Sequence, residues 1–371
     1  MTAPFTILQP KRIRFGRGEA RAAIPEIAAM GRRILLVHGR DGSRAEWLVQ
    51  ALKSEGAAVH AYGCAGEPTL PMLKEALIDA RGSDCVVSLG GGAAIDLGKA
   101  VAALLPASGT PLDYLEVVGR GQRLDAGPLP FVAIPTTAGT GAEVTKNAVI
   151  DVPEHRRKVS LRDDRMIADL AIIDPALTVH CPRGVTLASG LDAITQVIEP
   201  YLCTRANRYT DALCRAAIPK GLAALRRLME GEDARARDEM AWASLSGGLA
   251  LANSGLGAVH GLAGVIGGMT CAAHGAVCGA LLPHVLRANG AVVADTSRFD
   301  EVARWIGAVF GSVGGLERWM HEAGLPRLSA QGLHARDHHV VAEAAAVSSS
   351  MKANPAPLNA ADLVAVLAAA G

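Results

Sequence analysis

Short apolar runs alternate with amphipathic stretches through the first half of the chain. Arg33–Val37 is a continuous apolar run that ends at Gly39, the pattern of a buried parallel strand. Helical spacing follows over residues 44–55, a strand-like run over 58–62, and helical spacing again over 69–81. Cys85–Leu89 is a third strand, running directly into Gly90-Gly91-Gly92, and a helix is expected from Ala94 through Leu105. Phe131–Ile134 is a fourth, ending at Pro135-Thr136-Thr137. This alternation predicts an open α/β sheet with helices on both faces. Beyond Pro182 the pattern changes to Ala- and Leu-rich helical spacing over 187–203, 209–229, 234–252, 257–266 and 276–288, with a packed C-terminal helix over 360–371. Prolines cluster between Pro175 and Pro182, so the reading divides the chain into an α/β domain, residues 1–181, and an all-α domain, residues 182–371.

Composition narrows the class. The 371 residues carry 37 Lys plus Arg against 36 Asp plus Glu, a formal net charge of +1. Such a balance gives no general attraction for nucleic acid or an anionic membrane surface. Half the residues are hydrophobic, which excludes a disordered chain, and only 4% are aromatic, so the core must be built from Ala, Val, Leu and Ile. Apolar stretches are interrupted well before the roughly 18 residues a membrane span requires. Met1–Pro10 has no apolar signal core. Seven cysteines, an odd number with no CxxC pair, are expected to be reduced thiols of a cytoplasmic protein. His38, His60, His155, His180, His321, His334, His338 and His339 lie in mostly polar surroundings and read as surface residues.

Three segments carry candidate chemistry. Gly90, Gly91 and Gly92 sit where a strand ends and a helix begins, with Asp96 in the helix's first turns. Glycine lets a backbone approach a phosphate, and a helix N-terminus offers unpaired N–H groups. A tight turn without a ligand is the alternative. The second loop, Pro135 to Thr145, is dense in hydroxyls, with Thr136, Thr137, Thr140 and Thr145 as candidate cofactor contacts or simple caps. Two such loops beyond strands of one sheet point to a dinucleotide site. In the helical half, Asp192 and Gln196 share a helix face at i and i+4, and His260 and His274 follow. Carboxylate and imidazole donors suit a borderline divalent metal, although each side chain could also be a satisfied core residue.

Together these motifs resemble the iron-containing, or group III, alcohol dehydrogenase family, which includes maleylacetate reductases. The likeness runs from Arg14–Gly18 through Gly66–Thr69, the triple glycine, Ile134–Glu143, Gly190–Thr195, Gly257–Gly275 and Leu281–His284 to Asn354–Leu358. It implies the group III, dehydroquinate synthase-like architecture: an N-terminal domain binding NAD or NADP, and a helical domain holding a metal in the cleft. Fe2+ is the expected ion and Zn2+ the second choice. The family's ligands are an Asp and three His. Asp192, His260 and His274 match three of them, and Gln196 stands where the fourth imidazole is usual. Gly264 stands where many relatives carry a further His. Lys158 resembles the family's lysine near the nicotinamide ribose. Gly39, followed by Arg40 and Arg44, leaves room for a 2′-phosphate where NAD-preferring relatives have an Asp. His284 belongs to a family motif and reads as a packing residue. A homodimer is implied.

The expected activity is hydride transfer between nicotinamide and a small alcohol, aldehyde or keto acid, with Asp192, His260 and His274 as the catalytic group and the metal as Lewis acid. Two alternatives remain open: a metal-independent, maleylacetate reductase-like keto-acid reductase, and a sugar-phosphate cyclase of the same architecture. The second needs cleft lysines or arginines, and Gly257–Ala280 contains none.

Overall fold

The computed structural model describes residues 4–371. It divides into two compact units. One comprises Leu8–Thr137 and Ala142–Thr178; the other comprises Val179–Gly371, the segment ending at Ile7, and Ala138–Gly141. The sequence reading placed 138–141 with the sheet. They group with the helices because Gly139 lies against Ser189 and Gly141 against Gly248, too close for any side chain to intervene.

The first unit is built on a parallel sheet. Its strands, among the described residues, are β1 (Arg12–Phe15), β2 (Arg33–His38), β3 (Ala58–Gly63), β4 (Cys85–Gly90), β5 (Phe131–Pro135) and β8 (Leu170–Ile173), in the order β1-β8-β5-β4-β2-β3. A separate antiparallel pair, β6 (Asn147–Val152) with β7 (Arg157–Arg162), completes the set. The inner strands are apolar on both faces: Leu35, Val37, Val86 and Ala133 belong to one core, and Ile34, Leu36, Val87 and Ile134 to the other. That two-sided burial explains the unbroken apolar runs of β2, β4 and β5. The four strands the periodicity did not predict have separate reasons. β1 and β8 are four residues long, and β1 interleaves charges as RIRF. In the β6–β7 ribbon only alternate positions are buried, so it lacks the continuous apolar run that marks the inner sheet strands.

Strand order reverses at β2, whose neighbours are β3 on one side and β4 on the other. The carboxyl ends of β2 and β4 therefore flank a topological switch point, where open α/β sheets bind ligands. The helix leaving β4, Gly92–Leu104, packs tightly on the sheet through Gly98. Its Lys99 is fully buried, and its ammonium donates to the carbonyls of Ala142, Thr145 and Asn147 at 2.6–2.9 Å. Burial pushes Lys99 down to about 8, against the pull of Asp96 and Glu143.

The second unit is helical. Its main elements are Arg183–Leu202, Arg208–Glu230, Ala234–Asn253, Ala258–Met269 and His274–Val292, followed by shorter helices to Ala360–Ala370. No single helix among the described residues is long and apolar enough to cross a membrane. His338 departs from the surface reading: it is buried, because it opens the helix His338–Ala346 on the face that also buries Val341, Ala342 and Ala345. All seven cysteines are free thiols, and all but Cys271 are buried.

A methyl at Gly98 would lie 2.0 Å from Ser88 Oγ on the strand beneath. The Gly98→Ala variant is expected to be destabilised by about 1–3 kcal/mol, as overpacked cores are. A lowered urea midpoint would show it, and an unchanged midpoint would contradict the packing described.

Candidate metal and nucleotide sites

The nucleotide candidate is assembled at the switch point. Gly39 follows β2, and its backbone nitrogen lies 3.3 Å from where a Cβ at Gly90 would be. A Cβ at Gly91 would stand 3.3 Å from Thr137 Oγ1. Gly91 occupies the N-cap of Gly92–Leu104 without a side-chain cap, unlike the Thr69 cap of Leu70–Asp79. The first N–H groups of that helix are thus available to an anion. Thr136 N donates to Gly90 O at 2.8 Å and ties the two loops together.

Other expected cofactor contacts have internal partners. Asp96 accepts from Val149 N at 3.0 Å and anchors β6. Thr145 is buried beside Lys99, and its hydroxyl accepts from that ammonium at 3.1 Å. Lys158 Nζ lies 3.1 Å from Glu67 Oε2. Arg40 donates to Ala65 O at 3.0 Å, and Asp41 caps the short turn that follows through Ser43.

The metal candidate lies in the helical unit. Asp192 sits mid-helix in Arg183–Leu202 and is buried, with Gln196 and Glu199 one and two turns on along the same face. Helix His274–Val292 approaches this face closely. Cβ atoms at Gly275 and Gly279 would clash with Ala188 O and Leu191 Cδ1 at 2.1 and 2.6 Å. These two glycines bring His274 and Cys278 against Asp192. His260 comes from the first turn of Ala258–Met269.

Glu199 fixes that turn. Its carboxylate accepts from Val259 N at 2.7 Å and lies 2.6 Å from His260 Nδ1. Nδ1 therefore donates to Glu199, and a neutral His260 presents the lone pair of Nε2 on its other side. That Nε2 lies 3.4 Å from Asp192 Oδ1. Both atoms are buried and lack a hydrogen-bond partner. Burial would lower the His260 imidazole, but the Cys278 sulfur, Asp192 and Glu199 hold it well above its usual range, so the facing pair is balanced either by a proton on Nε2 or by a cation. His274 Nε2 is 3.8 Å from the same Oδ1 and 3.6 Å from Cys278 Sγ. One donor atom from each of Asp192, His260, His274 and Cys278 falls within 4.8 Å of the others.

The electrostatics agree. Burial alone would raise the Asp192 carboxyl, but the His274 and His260 rings more than offset it and hold it below its usual range. Burial would likewise raise the Cys278 thiol, and the same two rings bring it down. The Cys278 sulfur and Asp192 push His274 up to about 9. Two acids and two imidazoles thus call for two positive charges, which one divalent cation supplies. Carboxylate, imidazole and thiolate donors fit Fe2+, Zn2+ or Co2+ and do not suit Mg2+ or Ca2+. A third of the His274 side chain is exposed, which leaves one side of the cluster open.

Gln196 is tied through its amide nitrogen and not through the oxygen that would bind a metal. Its amide nitrogen donates to Thr140 O at 2.6 Å, which fixes the carboxamide against the 138–141 segment. Gly264 faces open space, with no atom within 4 Å of an added Cβ. The sequence reading missed Glu199 and Cys278. Their signals were present, Glu199 at i+7 from Asp192 and Cys278 at i+4 from His274, each on a helix face already marked by a candidate ligand.

Comparison with known proteins places this arrangement. The family model described as iron-containing alcohol dehydrogenase matches residues 10–175, and that of the family's C-terminal part matches residues 186–371. Long-chain-alcohol dehydrogenase 1 of Geobacillus thermodenitrificans is 34% identical over 340 residues, covering 86% of this chain and 85% of the relative. NAD-dependent methanol dehydrogenase of Bacillus methanolicus is 33% identical, covering 73% of each. A crystal structure of 1,3-propanediol oxidoreductase superposes with a TM-score of 0.92 at 28% identity, covering all of both chains. The alcohol dehydrogenase from Oenococcus oeni superposes with a TM-score of 0.91 at 28% identity, covering 99% of this chain and all of the other. The chain belongs to the iron-containing alcohol dehydrogenase family and is an oxidoreductase acting on CH–OH donors with NAD(P).

Proposed function

We propose that the protein interconverts small alcohols and aldehydes with a divalent metal at Asp192, His260 and His274. The observation that carries this reading is the facing pair of partnerless atoms, Asp192 Oδ1 and His260 Nε2, buried 3.4 Å apart. When bound, a cation there supplies Lewis acidity to the substrate oxygen, and nicotinamide supplies the hydride chemistry. Asp192 brings the negative charge, Glu199 holds the His260 ring in one tautomer, and the exposed side of His274 leaves substrate a way in. Named relatives that act on methanol and long-chain alcohols support an alcohol substrate over a keto acid.

The first unit then serves as the nucleotide-binding domain and the helical unit as the metal and substrate domain. Gly39, Gly90, Gly91 and Gly92 would cradle the pyrophosphate, with Thr136 and Thr137 beside it. The bare Gly39 position, next to the exposed Arg40 and Arg44, favours use of NADP(H). Reduced cysteines support a cytoplasmic location. The exposed apolar residues Phe5, Ile7 and Phe15 support a homodimer.

The deciding experiment is NAD(P)H oxidation with a panel of aldehydes, before and after stripping with a chelator. Activity should vanish in the stripped protein and return with Fe2+ or Zn2+; equal activity in both states would refute the metal's role. Glu199→Gln should weaken metal affinity by about 10–100-fold, as loss of an outer carboxylate partner does. Competition with a metal-binding dye reads this directly. Gly39→Asp has room for its side chain and is expected to lower the kcat/KM ratio of NADP(H) to NAD(H) by about tenfold or more, through repulsion of the 2′-phosphate. An unchanged ratio would remove Gly39 from the ribose site.

A further inference from the structure

We propose that Cys278 is a thiolate ligand of the metal and completes an Asp192, His260, His274 and Cys278 set. The inference rests on the metal reading above and adds the fourth donor and its consequence for metal choice.

Four observations support it. First, Cys278 is fully buried one turn beyond His274, and its sulfur is one of the four mutually close donor atoms. Second, the distances suit the role. Bond lengths of about 2.0–2.3 Å in a tetrahedral site imply donor separations of roughly 3.3–3.8 Å. The observed values are 3.4 Å from His260 to Asp192, 3.6 Å from His274 to Cys278 and 3.8 Å from His274 to Asp192. Third, the residue at the usual fourth position, Gln196, offers only a neutral amide oxygen, its nitrogen being held by the Thr140 carbonyl, so it brings no negative charge to balance a dication as a thiolate would. Fourth, Gly275 and Gly279 flank the Cys278 turn and permit the approach that places its sulfur beside Asp192.

A sulfur donor changes the site's chemistry. With a dication, one carboxylate, one thiolate and two neutral imidazoles give a neutral centre, whereas one carboxylate and three imidazoles leave a positive one. A softer, neutral set shifts preference toward Zn2+ and Co2+ and away from Fe2+.

The test is cobalt substitution of the full-length protein. One equivalent of Co2+ should give a near-ultraviolet sulfur-to-cobalt charge-transfer band alongside the visible ligand-field bands. In Cys278→Ser the charge-transfer band should be lost. Zinc affinity should fall by at least the roughly 10–100-fold that loss of an outer partner costs. X-ray absorption of the zinc-loaded wild type, which needs no variant to fold, should show one sulfur at about 2.3 Å among lighter scatterers. Stoichiometric cobalt with ligand-field bands alone, or a zinc shell without sulfur, would overturn the Cys278 assignment and leave the metal reading standing. Failure of the wild type to bind either ion would overturn both.

Discussion

A buried carboxylate oxygen without a hydrogen-bond partner is the constraint around which the helical unit is organised. Asp192 lies in the middle of a helix whose other faces are packed with Leu, Ile and Val. A charge in that setting is tolerated only if positive charge is brought to it. Two structural features converge on it. Gly275 and Gly279 let one helix close on Ala188 and Leu191, delivering His274 and Cys278. Glu199 seizes the N-terminal turn of a second helix and turns His260 toward Asp192. The remaining gap between Oδ1 and Nε2 is where the proposed cation would sit. The helical core is thus arranged around a charge that the protein alone does not neutralise without extra protons.

In the proposed reading the sheet unit meets the opposite problem, since a nucleotide's phosphates bring negative charge with them. Its answer is mostly backbone. Gly39, Gly90 and Gly91 keep side chains away from the ends of β2 and β4, and the helix at Gly92 begins with free N–H groups. Here a buried cation is structural: Lys99 is consumed by three carbonyls of the segment that leads into β6, so it holds that segment's shape. Asp96, Thr145 and Lys158 have the residue types expected of cofactor contacts, yet each has a partner inside the protein. Residue type alone could not reveal those partners, because they are 46–91 positions apart and in part lie on strands the sequence pattern missed.

Much of the architecture was legible in the chain itself. β2, β4 and β5 announce themselves because strands buried on both faces must be apolar throughout, and the long helices do so because one face of each repeats at helical spacing. Asp192, His260 and His274 could be singled out as candidates from the motifs around them. The short strands β1 and β8 were not, since four residues are too few to show a period, and His338 looked polar because only its helix partners reveal its buried face.

The tertiary structure decided the rest. The sequence determined the two-part organisation, the glycine loops and three candidate ligands, because these depend on local periodicity and on residue types that few other roles require. Only the packed chain decided that Gln196 turns to Thr140, that Glu199 orients His260, and that Cys278 stands fourth beside Asp192. Those outcomes depend on how closely helices approach one another. That distance is set by where glycines on one helix meet backbone and side chains on another, a property of pairs of segments that a linear sequence does not display.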